Sequence, residues 1–165
     1  MLSVIDRLSV TFDRALLVIG CGFLALMVLH ITIDVLLRAL FNAAVVGTLE
    51  SVSYYHIVFA VFLPLAYVER RGEHIRVDLF VQKMPLRVQF ALYLFACLIG
   101  LGFFGALTYQ SFLDALRSTE RQETIMSNFL FYIWPSRWAL PLGFGAACLA
   151  ILNAILKALV RRQPA

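Results

Sequence analysis

The chain has 165 residues, of which 62% are hydrophobic and 15% charged, with a formal net charge of +4. A water-soluble domain is about half apolar, so this composition excludes an ordinary globular fold while the length suits one domain, 1–165. The basic residues are interleaved with acids rather than clustered, which speaks against nucleic acid as a partner and leaves the positive charge as a signal of topology and lipid contact.

Four uninterrupted neutral runs account for the apolar excess, at 15–33, 51–68, 88–113 and 138–156. Each can cross a hydrocarbon core of about 30 Å, because a helix rises about 1.5 Å per residue. In lipid every backbone amide must be bonded within its own segment, so the runs are expected to be helices. The expected fold is an all-α integral membrane protein with four transmembrane helices.

Asp6, Arg7, Asp13 and Arg14 precede the first run, which is too long for the apolar region of a cleaved signal, so it reads as an uncleaved anchor. Ile5, Leu8 and Phe12 share one helical stripe. They predict a segment lying along the membrane surface before the chain turns inward. At the far end of the run, in "HITIDVLLRALFN", Asp34 and Arg38 are four residues apart and can pair on one helical face. Two readings stand side by side. Either they form an interfacial ion pair with Arg38 snorkelling to the headgroups, or with Glu50 they meet a charged partner subunit. Direct pairing predicts that a charge-swapped double change is tolerated better than either single neutralisation.

Between the second and third runs, Glu69 to Asp78 holds seven titratable groups in ten residues. Gly72 permits the turn. Val77, Phe80, Val81, Met84 and Val88 then fall on one stripe, predicting a short interfacial amphipathic helix over 75–84. Pro85 is expected to open the third span, and Pro64 and Pro141 to kink the second and fourth. The stretch reads as a solvated turn. Alternatively Glu69, Arg70, Glu73, His74, Arg76 and Asp78 form a docking surface for another protein.

The third run, 26 residues or roughly 39 Å, exceeds the hydrocarbon core and is expected to tilt or protrude. It carries the small pairs Ala96/Gly100 and Gly102/Ala106, and the fourth carries Gly143, Gly145, Ala146 and Ala150, all suited to close helix approach. Phe129, Phe131, Tyr132, Trp134 and Trp138 suit an interfacial aromatic belt. Ten Lys and Arg residues fall on the terminal segments and the second connection, against four on the first and third connections. That asymmetry predicts both termini in the cytoplasm.

No phosphate-binding loop, nucleophile elbow, HExxH or CxxC pattern is present, so no enzyme activity and no cofactor is expected. Cys21, Cys97 and Cys148 lie within spans and read as small apolar side chains. No carboxylate falls in the middle of a span, which argues against a second class, a self-sufficient homodimeric exporter. A third class is a haem-bearing cytochrome subunit in which His30 and His56, at similar depth, hold the iron. The competing reading has each imidazole hydrogen-bonded to its neighbours.

"RALFN" at Arg38–Asn42, "GTLE" at Gly47–Glu50 and "RRGEHIRVD" at Arg70–Asp78 resemble the blocks around the first two spans of a known family. This is the small membrane subunit (DctQ type) of tripartite ATP-independent periplasmic (TRAP) transporters. The resemblance implies a scaffold subunit of the bacterial inner membrane, bound to a large permease of about twelve spans. A periplasmic binding protein would deliver an organic acid, such as a C4-dicarboxylate or related sugar acid, for sodium-coupled uptake.

Overall fold

The computed structural model of the chain describes residues 2–71, 84–126 and 129–161. Four helical segments within it are long and apolar enough to cross a membrane: Ser9–Phe41, Thr48–Arg71, Leu86–Glu120 and Trp134–Val160. Four crossings return the chain to the side on which it started, so both ends of the bundle can be named from it. The termini share one end, and the first and third connections share the other.

The first span is part of one unbroken helix, Leu2–Phe41. The expected surface segment and turn near residue 14 are therefore wrong. No glycine or proline occurs before Gly20, so nothing in the sequence interrupts the backbone ladder there.

The second span is the least regular. A short helix Thr48–Ser51 leads into a π-helical turn, Val52–His56, then a helix Ile57–Phe62, a break at Leu63–Pro64, and a last helix Leu65–Arg71. Pro64 has no amide hydrogen to donate, which breaks the ladder as expected. The ladder restarts at once, the Tyr67 and Val68 amides both donating to the Pro64 carbonyl at 3.0 and 3.2 Å.

Pro85 caps the third helix, Leu86–Glu120, whose 35 residues make it roughly 52 Å long. It must therefore project beyond the hydrocarbon, and its last charged turns do so. The fourth span begins with a single turn, Trp134–Arg137, followed after Trp138 by the helix Ala139–Arg161. Pro141 does not kink this helix. It sits in the first turn, where a missing amide hydrogen leaves no intrahelical acceptor unpaired. The aromatic cluster ahead of this span holds an unexpected feature, a small antiparallel hairpin. Strand β1 (Thr124–Met126) pairs with β2 (Leu130–Tyr132) in the register Thr124↔Tyr132, Ile125↔Phe131 and Met126↔Leu130. The interfacial helix expected over 75–84 lies outside the described residues.

The fourth span is the hub. It packs along the third and against the last helix of the second, while the first packs on the second. In the most apolar stretch of each span, 39% of residues are buried in the fourth and 0% in the third, so the third packs on the fourth along one side and leaves the other exposed. Leu16, Leu63, Ala66, Ala139 and Ala146 form the buried core.

Two glycines explain how closely the second span is gripped at its break. A Cβ on Gly143 would collide with the Phe62 carbonyl oxygen, and one on Gly20 would lie 2.7 Å from the Pro64 ring. The small residues of the fourth span are thus used inside this chain, not on a free face. On the third span, Gly100 faces Ile151 of the fourth, with 3.6 Å from its would-be Cβ to Ile151 Cδ1, whereas Gly102 looks onto open space.

Candidate functional site

The polar side chains concentrate at the two ends of the bundle, where each cluster ties together segments far apart in sequence. At the hairpin end, Asp34 and Arg38 pair: Arg38 Nε donates to Asp34 Oδ2 at 2.9 Å, and Nη2 lies 2.8 Å from the same oxygen. The pair is unequal, with the Asp34 side chain 8% exposed and that of Arg38 59% exposed. The second carboxylate oxygen explains this. Asp34 Oδ1 accepts the Val45 amide at 2.8 Å, so the connection after the first span folds back onto it. That return needs left-handed backbone at Asn42 (φ 51°) and Gly47 (φ 89°), a conformation glycine adopts freely and asparagine tolerates.

Thr48 continues the cluster. Its hydroxyl donates to the Val45 carbonyl at 3.1 Å and lies 3.5 Å from His30 Nε2. His30 meets His56 edge to face with ring centroids 5.5 Å apart, and His56 Nδ1 lies 2.9 Å from the Ser51 carbonyl. Two rings in direct contact leave no space for a porphyrin between them, so the haem reading does not fit. The imidazoles instead bond to their neighbours. Among the described residues no group of three or more His, Cys, Asp or Glu side chains could hold a metal ion. Glu50 is half-buried in the first turn of the second span.

The hairpin closes this end of the bundle. Tyr55 Oη donates to the Tyr132 carbonyl at 2.7 Å, and its ring meets Phe131 edge to face at 5.6 Å. Phe129 lies across Gly47, whose missing side chain makes the space. At the base of the hairpin, Glu123 accepts from Arg137 Nη2 at 3.0 Å and from the Ser118 hydroxyl at 2.6 Å. The Arg137 guanidinium first, and the Ser118 hydroxyl second, hold the Glu123 carboxyl below its ordinary range. Trp138 Nε1 donates to Thr119 Oγ1 at 3.0 Å, locking the start of the fourth span to the end of the third.

At the termini end the expected partner-contact residue Arg70 is turned inward. Its Nε and Nη2 both lie 2.6 Å from Asp13 Oδ2, and Nη2 also donates to Ser9 Oγ. Asn153 Nδ2 donates to the same Ser9 oxygen at 2.9 Å, bringing the first, second and fourth spans to one point. Asp13 is 2% exposed. A charge that deep is stable only when paired and hydrogen-bonded, which this network supplies. Arg71 covers the Tyr67 ring at 5.2 Å, and Glu69 is half-buried in the same helix. Glu73, His74, Arg76 and Asp78 lie outside the described residues.

The structure therefore joins Asp34 to Arg38 but separates both from Glu69 and Arg70 by the length of the bundle. Ser9, Asp13, Thr48 and Asn153 carry the ties that sequence reasoning missed. A signal existed for two of them: Ser9 and Asp13 are four apart on one helical face, beside a long apolar run where an unpaired acid is costly.

These features define a class: a four-helix membrane protein with polar ties at both ends and no titratable cluster between them among the described residues. The family model for the DctQ component of tripartite ATP-independent periplasmic transporters matches residues 27–161. The match covers most of the chain, and the chain belongs to that family. No curated protein and no solved structure matches it.

Proposed function

We propose that this small TRAP transporter subunit is a non-catalytic membrane scaffold. It would hold a large permease of about twelve spans in the bacterial inner membrane, with both its own termini in the cytoplasm. The permease would carry an organic acid, a C4-dicarboxylate or related sugar acid, using a sodium gradient after delivery by a periplasmic binding protein. The observation that carries this reading is the distribution of charge. Among the described residues the titratable clusters lie at the bundle ends, and those around Asp34, Asp13 and Glu123 are tied within the chain. A secondary transporter's own site calls for ion and substrate ligands near the midplane, set by interrupted helices. The break at Leu63–Pro64 is instead filled by packing against Gly20 and Gly143. The outward surfaces of the first and third spans, with Val18, Val28, Phe95 and Ile99 exposed, are apolar enough to meet lipid or a large subunit.

The test is reconstitution. The purified chain alone in sodium-loaded vesicles is expected to take up no organic acid, and expression beside its large subunit is expected to yield a stable complex. Sodium-dependent uptake by the chain alone would overturn the scaffold reading. For orientation, reporters fused after Ala165 and after Glu120 are expected on opposite sides of the membrane, the former in the cytoplasm.

A further inference from the structure

The charged cavity at the hairpin end is not used by any of the ties between spans one and two. It measures about 390 Å³ and is lined by Asp114, Arg117, Ser118, Arg121, Glu123 and Arg137. We propose that it binds the phosphodiester headgroup of a membrane phospholipid, with Arg117 and Arg121 as its principal contacts.

Three guanidinium groups converge on one cavity, and two of them keep their donors available. Arg137 is committed to Glu123 at 3.0 Å. Arg117 approaches Asp114 at only 3.7 Å, beyond hydrogen-bond distance, and its side chain is 61% exposed. Arg121 is exposed, and its guanidinium makes no hydrogen bond among the described residues; it acts on Glu123 only through charge. Three arginines face two carboxylates there. Even with the roughly half-unit negative charge at a helix C-terminus, the cavity remains net positive. A planar guanidinium presents paired N–H groups that match phosphate oxygens, and basic pockets beside membrane helices bind lipid headgroups.

The depth favours a lipid over a soluble anion. The uncharged run of the third span ends at Leu113, so Asp114 and Arg117 begin where the hydrocarbon stops. Trp138, which bonds to Thr119 and meets Phe112 edge to face at 5.8 Å, marks the same level. Tryptophan belts sit at the headgroups. Below the cavity, on the face of the helix that carries Arg117, Phe103 is exposed about 21 Å along the axis, at the reach of an acyl chain. The site needs only the four-span topology, not the transporter assignment.

The full-length chain in detergent is expected to retain phosphatidylglycerol or phosphatidylethanolamine in native mass spectrometry, in preference to a phosphate-free diacyl glycolipid. The R117Q/R121Q variant is expected to retain them at least roughly tenfold more weakly, since both charge-assisted contacts are lost. R121K, which keeps the charge, should fall between. Size-exclusion and circular-dichroism profiles matching the parent would show that the variant is folded, and the lipid comparison on the parent chain needs no variant at all. Equal retention of the phosphate-free lipid would overturn the proposal, as would unchanged retention by the double variant. Full displacement by millimolar inorganic phosphate would instead assign a soluble anion. Undiminished lipid binding by R117Q/R121Q with loss of a co-purifying protein would assign the arginines to that protein.

Discussion

Gly143 of the fourth span presses on the Phe62 carbonyl of the second so closely that a Cβ would collide with the oxygen. The Phe62 carbonyl is the last of the helix Ile57–Phe62, immediately before the break at Leu63–Pro64, and it meets the fourth span where that span has no side chain.

The consequence is a sharp difference between two glycines. Gly143→Ala is expected to destabilise the folded chain by about 3 kcal/mol or more, because the clash is with backbone and only helix displacement relieves it. Gly102→Ala meets nothing within 4 Å and is expected to change stability by less than about 0.5 kcal/mol. Unfolding of both variants in mixed micelles checks this. Equal effects would show that the second and fourth spans do not meet at that glycine.

The Asp13–Arg70 tie gives a second prediction, since it joins residues 57 positions apart in a nearly dry site. Asp13→Asn or Arg70→Gln each removes one half of this largely buried ion pair, at a cost of about 3–5 kcal/mol. The double change D13N/R70Q is expected to be milder than the two single effects added together. Strict additivity in a double-mutant cycle would mean the two side chains do not interact in the membrane.

Asp34 should matter more than Arg38. Asp34→Ala removes the acceptor of the Val45 amide as well as the ion pair, a loss of about 1–3 kcal/mol. Arg38→Gln removes only a mostly exposed partner, worth at most about 1 kcal/mol. The charge-swapped D34R/R38D is therefore expected to fare no better than D34A, contrary to what simple pairing implies. An arginine at 34 cannot accept the loop amide. Recovery by the swap would show that the loop does not depend on the carboxylate.

The hairpin should respond to acid through Glu123. Its carboxyl is held below the usual value, so the ion pair with Arg137 contributes stability above that value and loses it as pH falls through the lowered one. Protection of the amides of β1 and β2, and of Ile133, which donates to the Glu123 carbonyl at 3.0 Å, is expected to fall as the pH drops below the ordinary glutamate range. In Glu123→Gln the exchange should already be fast at pH 7 and vary little with acid beyond its intrinsic dependence. Identical pH profiles for the two chains would remove Glu123 as the cause.

The four spans, the helix start at Pro85 and the break at Pro64 are legible in the sequence, which also offers the Asp34–Arg38 pair as one of two readings. Each of these is a local property: hydropathy over some twenty residues, a missing amide hydrogen, or two side chains one helical turn apart. Packing settles the rest: Arg70 turns inward to Asp13, Val45 shares Asp34, the fourth span is the hub, and the aromatic stretch after the third span pairs as a hairpin. Those outcomes depend on which helix faces meet. An apolar helix is hydrophobic nearly all round in a membrane protein, so its sequence marks no preferred face, and small gaps such as Gly143 select the neighbour only once a partner backbone arrives.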